Sequence, residues 1–196
     1  MCWPTRPSVG LSFQKELIFN GIVPCKNTLM FPFFTQLGFL LRATNEHGIH
    51  SPFIYRYLTK GIYRKPRKHP KKNLDVLLKS IAYFEFKNIG LPKGPPTVEK
   101  LIREAFPHVR INKPPYGLLY LPEPDACFFD KFSGPEELLH DGSLVLVDQI
   151  HKGHMAETHW KRMHEADSFR VSIDFFHCGL LFIRKGQAIQ HFRIRI

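Results

Sequence analysis

A chain of 196 residues that is 43% hydrophobic is long enough for one good core and too short for two full domains. The excess of 28 Lys and Arg over 17 Asp and Glu, a net charge of +11, favours an anionic ligand or a polyanionic partner. Cys2, Cys25, Cys127 and Cys178 are far apart and form no CxxC pair, so neither a zinc knuckle nor a disulfide scaffold is suggested, and buried thiols in a reducing cytosol fit the pattern. With no signal-peptide run and no membrane span, the chain reads as soluble and cytoplasmic.

Residues 1–29 read as an irregular N-terminal extension without amphipathic period, and one hypothesis from the pattern is that translation starts at Met30. Residues 30–72 read as a helical cap and basic linker, and residues 73–196 as an α/β domain. Within the cap, Phe33, Phe34, Leu37, Leu40 and Leu41 recur at helical spacing over 33–44. A second helix begins at Pro52, with Ser51 as its cap and Ile54, Tyr57, Leu58 and Ile62 on its apolar face.

Between Lys60 and Lys72 stand seven Lys or Arg residues, His69 and no acid, broken by Pro66 and Pro70. One reading is a solvated connection. The other is a contact to a polyanion such as nucleic acid through Lys65, Arg67, Lys68, Lys71 and Lys72, with Tyr55, Tyr57 and Tyr63 placed for stacking.

Beyond the linker, elements alternate. The pattern predicts a helix over 74–84, a strand over 88–91, a helix over 97–106 and strands over 109–111 and 116–121. It then predicts a buried strand over 126–129, a short helix over 135–139, an apolar strand over 144–147 and a helix over 155–166. The end is β throughout, with a hairpin turning at 177–179. The fold class is α/β: a Rossmann-like, mostly parallel sheet with a C-terminal antiparallel hairpin, preceded by an N-terminal helical segment.

Ligands of such sheets sit beyond the carboxyl ends of the strands, which selects Asp130 after "ACFF" and Asp148 after "SLVLV". A carboxylate there can bind a divalent cation, orient a substrate, act as a base, or simply cap the next helix or loop. His151 stands at the same rim as a proton-transfer candidate. His154, His159 and His164 fall at about 0°, 140° and 280° around a helix, so they share no face and no metal site is expected from them. No P-loop, GxSxG or HExxH sequence is present.

"NEHGIHSPFIYRYLTKGIY", "LVLVDQIHKGHMAETHWKRM" and "FRVSIDFFHCGLLFIRKGQAIQHFRIRI" together resemble a group of bacterial class I S-adenosylmethionine-dependent methyltransferases, catechol-methyltransferase-like in their C-terminal half. The resemblance covers residues 30–196 and implies a transferase of unknown methyl acceptor with S-adenosylmethionine as cofactor. By position it assigns Asp130 and Asp148 to strand ends, Ile173, Asp174, Gly179 and Leu180 to the hairpin, Gly90 and Gly94 to close approach of the cofactor, and Asn112 to its ribose.

The sequence departs from that pattern around the cofactor. "IGLPKGPPT" stands where the group carries an acidic, glycine-rich loop. Pro92, Pro95 and Pro96 remove N–H donors, and Lys93 brings positive charge toward a cationic cofactor. Asn112 replaces an acid, Gln149 replaces a second Asp, and the segment between Tyr63 and Leu74 is short. The expectation is therefore a shortened methyltransferase-like protein with a degenerate cofactor loop.

Overall fold

The computed structural model describes residues 50–196 together with Gln36, Gly38, Phe39 and Ala43. Gln36, Gly38 and Phe39 are helical, whereas Ala43, expected in the same helix, is not, although its amide donates to Phe39 O at 2.8 Å; the other positions of the expected helix over 33–44, the extension 1–29 and Met30 lie outside the described residues.

The first continuous element is α1, Pro52–Tyr57, which runs directly into a π-helical turn, Leu58–Ile62. Pro52 occupies the first helical position, as expected, but the Ser51 side chain makes no capping bond. Helices α2 (Lys72–Phe84), α3 (Pro96–Ala105) and α4 (His154–His164) follow. The strands are β1 (Asn88–Gly90), β2 (Arg110–Ile111), β3 (Tyr116–Leu121), β4 (Leu139–Asp148), β5 (Val171–Asp174), β6 (Cys178–Phe182) and β7 (Gln190–Arg193).

They form one sheet in the order β2-β1-β3-β4-β6-β5-β7. Strands β2, β1, β3 and β4 are parallel, β6 is antiparallel to both β4 and β5, and β7 runs parallel to β5. The expected mixed sheet with a terminal hairpin is therefore present. The hairpin turns at Phe175 to His177, slightly before the expected position, with Phe176 at φ 70°.

Side-chain alternation along each strand sorts the core into two layers. Leu118, Tyr120, Leu144, Leu146, Ile173 and Leu180 face α1, α2 and α3. Leu119, Val145, Val147 and Leu181 face Trp160 and Met163 of α4. Because Ile54, Tyr57 and Leu58 are fully buried in the first layer, α1 belongs to the same core as the sheet.

Two expectations need correction. Residues 126–129 form no strand; they are a turn leading into a short 3-10 turn, Phe128–Lys131. Strand β3 pairs directly with β4 from Leu118↔Leu144 to Leu121↔Val147, which leaves no place between them, and Pro122 and Pro124 break the preceding extended run. Cys127 is consequently exposed, whereas Cys178 is buried as expected. The helix expected over 135–139 is a single 3-10 turn, Pro135–Glu137, and β4 begins already at Leu139.

Candidate functional site

The alternation that buries Leu144 and Leu146 against α2 carries Asp148 to the same face at the end of β4, where it is 6% exposed. Three donors converge on its carboxylate. Asn73 Nδ2, in the first turn of α2, lies 2.6 Å from Oδ2, Tyr120 Oη donates to the same oxygen at 3.0 Å, and the Gln149 amide donates to Oδ1 at 2.7 Å. Tyr120 is placed for this by the β3–β4 register, which sets it beside Leu146. Burial pushes the Asp148 carboxyl above its ordinary range, with the three donors and nearby His177 pulling the other way. Burial and the Asp148 charge push the Tyr120 hydroxyl upward as well, so it remains a donor.

On the opposite face of the sheet, Asp174 ends β5 one step beyond Ile173 and points toward α4. Its Oδ2 lies 2.9 Å from His151 Nε2, while His151 Nδ1 lies 2.8 Å from Glu157 Oε1 in the first turn of α4. Each ring nitrogen thus faces a carboxylate, the arrangement of an imidazolium. Burial lowers the His151 pKa, but the bonds and charges of Asp174 and then Glu157 outweigh it and raise the net value. The ring stacks on Phe176 with centroids 5.1 Å apart. When the ring is protonated both nitrogens donate, and His151 then ties the β5–β6 turn to α4 and brings a positive charge to the rim.

Between these groups opens a cleft of about 510 Å³, with Asp148 at its floor and Lys71, Lys72 and Lys152 among its walls. Asn73, Gln149 and His177 add polar atoms, and Phe176 adds an aromatic face. Burial and the neighbouring Lys72 charge lower the His177 pKa, against a smaller upward pull from Asp148. The arrangement suits a small anion that also carries a hydroxyl or amine, because a carboxylate has about four lone-pair sites and Asp148 fills three of them.

The remaining expected site residues lie elsewhere. Asp130 is exposed on the 3-10 turn, away from the cleft lining. Gly90 ends β1, where a Cβ would lie 2.8 Å from both Leu119 Cδ1 and Tyr116 Cδ2 and so collide with both side chains. Gly94 closes a turn in which the Lys93 and Gly94 amides both donate to Leu91 O, at 3.0 and 3.1 Å. Asn112, at φ 56°, accepts the Leu91 amide at 2.7 Å through Oδ1. Lys93 Nζ reaches Asp125 at 3.4 Å, and Gln149 Nε2 donates to Pro122 O at 2.9 Å. No group of three or more His, Cys, Asp or Glu among the described residues is arranged to hold a metal ion.

The basic segment is divided by its path. Lys71 and Lys72 line the cleft at Asp148, whereas Lys65 and Lys68 line a different cavity of about 630 Å³ and Arg67 lines neither. No helix among the described residues is long and apolar enough to cross a membrane.

Asn73, Tyr120, Glu157 and the site role of Asp174 escaped the sequence reading. Period-two alternation could have paired Asp174 with Ser172 on the face away from Val171 and Ile173. Asn73 and Tyr120 reach Asp148 across 75 and 28 residues, and no local pattern marks such contacts. The chain matches no protein-family model, no curated protein and no solved structure.

Proposed function

We propose that this chain is a methyltransferase-like protein that binds a small anionic ligand in the cleft around Asp148 and does not use S-adenosylmethionine. The observation that carries this reading is the closed loop after β1. The Leu91 amide is taken by Asn112, the Lys93 and Gly94 amides are turned back onto Leu91 O, and the space beside Gly90 is filled by Leu119 and Tyr116.

S-adenosylmethionine needs backbone access for its amino-acid end and a free acceptor for its ribose hydroxyls. Here the residues do not fit those needs. Asn112 is the residue matched to the ribose contact, and its carbonyl oxygen is already engaged; Lys93 adds a positive charge where the ligand is itself cationic. The cleft at Asp148 has the opposite character. Lys71 and Lys152 draw in an anion while Lys72 Nζ is held on Ile196 O at 2.6 Å, Phe176 offers an apolar face, and Asp148 accepts from a hydroxyl or amine.

Calorimetry with S-adenosylmethionine and S-adenosylhomocysteine tests the negative half of the proposal. No heat is expected up to about 1 mM ligand, and binding near about 1 µM, or about −8 kcal/mol, would overturn it. For the cleft, the probe is 4-hydroxybenzoate followed by amide and side-chain NMR. Shifts at Asn73, Gln149 and His177 that vanish in Lys71→Gln/Lys152→Gln are expected. Absence of shifts there, for this probe and for benzoate, would remove the ligand assignment.

A further inference from the structure

The second cavity lies on the far side of the basic segment, between the π-helical turn and α2. We propose that it is a separate binding site for a small ligand carrying two or more phosphate groups. Lys60, Arg64, Lys65 and Lys68 contribute to its lining, no carboxylate does, and its volume of about 630 Å³ lies within the range of roughly 300–1,000 Å³ typical of small-ligand sites.

The side chains of Lys60, Arg64 and Lys65 have no hydrogen-bond or ion-pair partner among the described residues. Cations held around one concavity repel each other and raise the local concentration of anions. An arginine fork matches the oxygens of a phosphate, and lysines add point charges that tolerate several phosphate positions.

The cavity is also preorganised, which separates it from a solvated basic tail. Asp75, buried on α2, accepts the Lys68 amide at 2.6 Å through Oδ1 and pairs with Lys79 Nζ at 2.9 Å through Oδ2. Lys79 in turn donates to Ile62 O at 2.7 Å, at the last residue of the π-helical turn. These bonds hold both ends of the segment that carries Arg64 and Lys65. Gly61 is buried against Tyr83, where a Cβ would come within 3.2 Å of the ring, so the wall behind the cations depends on glycine. π-Helical turns within helices occur frequently at functional sites.

A small ligand is favoured over a nucleic-acid strand because the cations converge on a concavity. A strand needs a continuous basic track, and the segment breaks one by directing Lys71 and Lys72 to the other cleft. Tyr83 stands partly exposed in the cavity wall, packed against Tyr57 and Phe84, and offers one aromatic edge instead of a stacking series.

The test is calorimetric titration of the full chain with pyrophosphate, ADP and a single-stranded oligonucleotide at low and high salt. Pyrophosphate and ADP are expected to bind with Kd of about 10–100 µM at low salt and more weakly at high salt. The exposed-site variant Lys60→Gln/Arg64→Gln/Lys65→Gln should lose at least about tenfold in affinity, with its urea midpoint unchanged. Lys71→Gln/Lys152→Gln, which alters the other cleft, should bind as the parent does.

Equal affinity for the two ligands would assign recognition to the phosphates. Tighter ADP binding that Tyr83→Leu abolishes would add contact with the base, and both results support the site. Failure of both ligands to bind, or binding unchanged in the triple variant, overturns it. So does an oligonucleotide that binds more tightly than either and depends on Lys71. Failure of pyrophosphate and ADP at this cavity leaves the 4-hydroxybenzoate result at the Asp148 cleft unchanged, so the two proposals are tested separately.

Discussion

Asn73 Nδ2 donates to Asp148 Oδ2 at 2.6 Å, tying the first turn of α2 to the end of β4 across 75 residues. This bond fixes one wall of the cleft against its floor. Replacing Asn73 by Ala should cost about 1.5–3 kcal/mol, as expected for a hydrogen bond to a charged group, and should raise the Asp148 pKa further. Urea denaturation and an NMR titration of the Asp148 carboxyl measure the two effects; an unchanged carboxyl pKa would show that Asn73 does not hold the anion.

Asp148 also sets a pH dependence. Burial raises its folded pKa above the unfolded value, which is about 3.9. Its contribution to stability is therefore full below that value and is lost as pH rises through the folded pKa. Asp148→Asn removes the titration, so the difference in unfolding free energy between variant and parent should shift in favour of the variant as pH rises through this window. Denaturation of both proteins at intervals from pH 3 upward checks the sign.

His151 behaves in the same sense at higher pH. Its pKa is raised because Asp174 and Glu157 outweigh burial, so its stabilising effect is full below the unfolded value of about 6.5 and fades as pH rises through the folded one. His151→Phe should cost about 2–4 kcal/mol at pH 6 and distinctly less at pH 9. An equal cost at both pH values would mean that the imidazolium charge does not carry the stabilisation.

Gly179 on β6 lies directly beneath the Trp160 ring, and a Cβ there would clash with Trp160 Cη2, Cζ3 and Cζ2. A buried aromatic between α4 and the sheet has little room to give, so Gly179→Ala should destabilise by about 1–3 kcal/mol. Trp160→Leu in the same background should recover part of that loss, which a thermal-unfolding comparison of single and double variants would reveal.

The buried pair of Asp75 and Lys79 holds the basic loop at 2.9 Å. Asp75→Ala should cost about 3–5 kcal/mol because Lys79 is left buried and unpaired. Hydrogen exchange of the Lys68 amide, which Asp75 accepts at 2.6 Å, should accelerate in a milder variant, Asp75→Asn. Unchanged exchange would show that the loop is held by other contacts.

Local chemistry written in the sequence determined most of the element types. Alternation along "SLVLVD" places Leu144 and Leu146 on one face and Asp148 next on that face, so the rim position of Asp148 follows from the sequence alone. The mixed sheet was legible too, because a hydrophobic run followed by helix-period residues recurs along the chain. "ACFF" carries the composition of a strand, yet it became a turn, because sheet membership depends on a free neighbour and β3 and β4 pair directly with each other.

Tertiary structure decided the rest. Gly90 and Asn112 have residue types suited to a cofactor loop, and their packing against Leu119, Tyr116 and the Leu91 amide comes from strand register and loop path. The basic segment looked like one patch in sequence, and its path past α2 divides it between two cavities. Contacts such as Asn73 with Asp148 and His151 with Asp174 join distant residues. Periodicity assigns a side chain to a face; which distant group meets it there is decided when the helices and sheet pack.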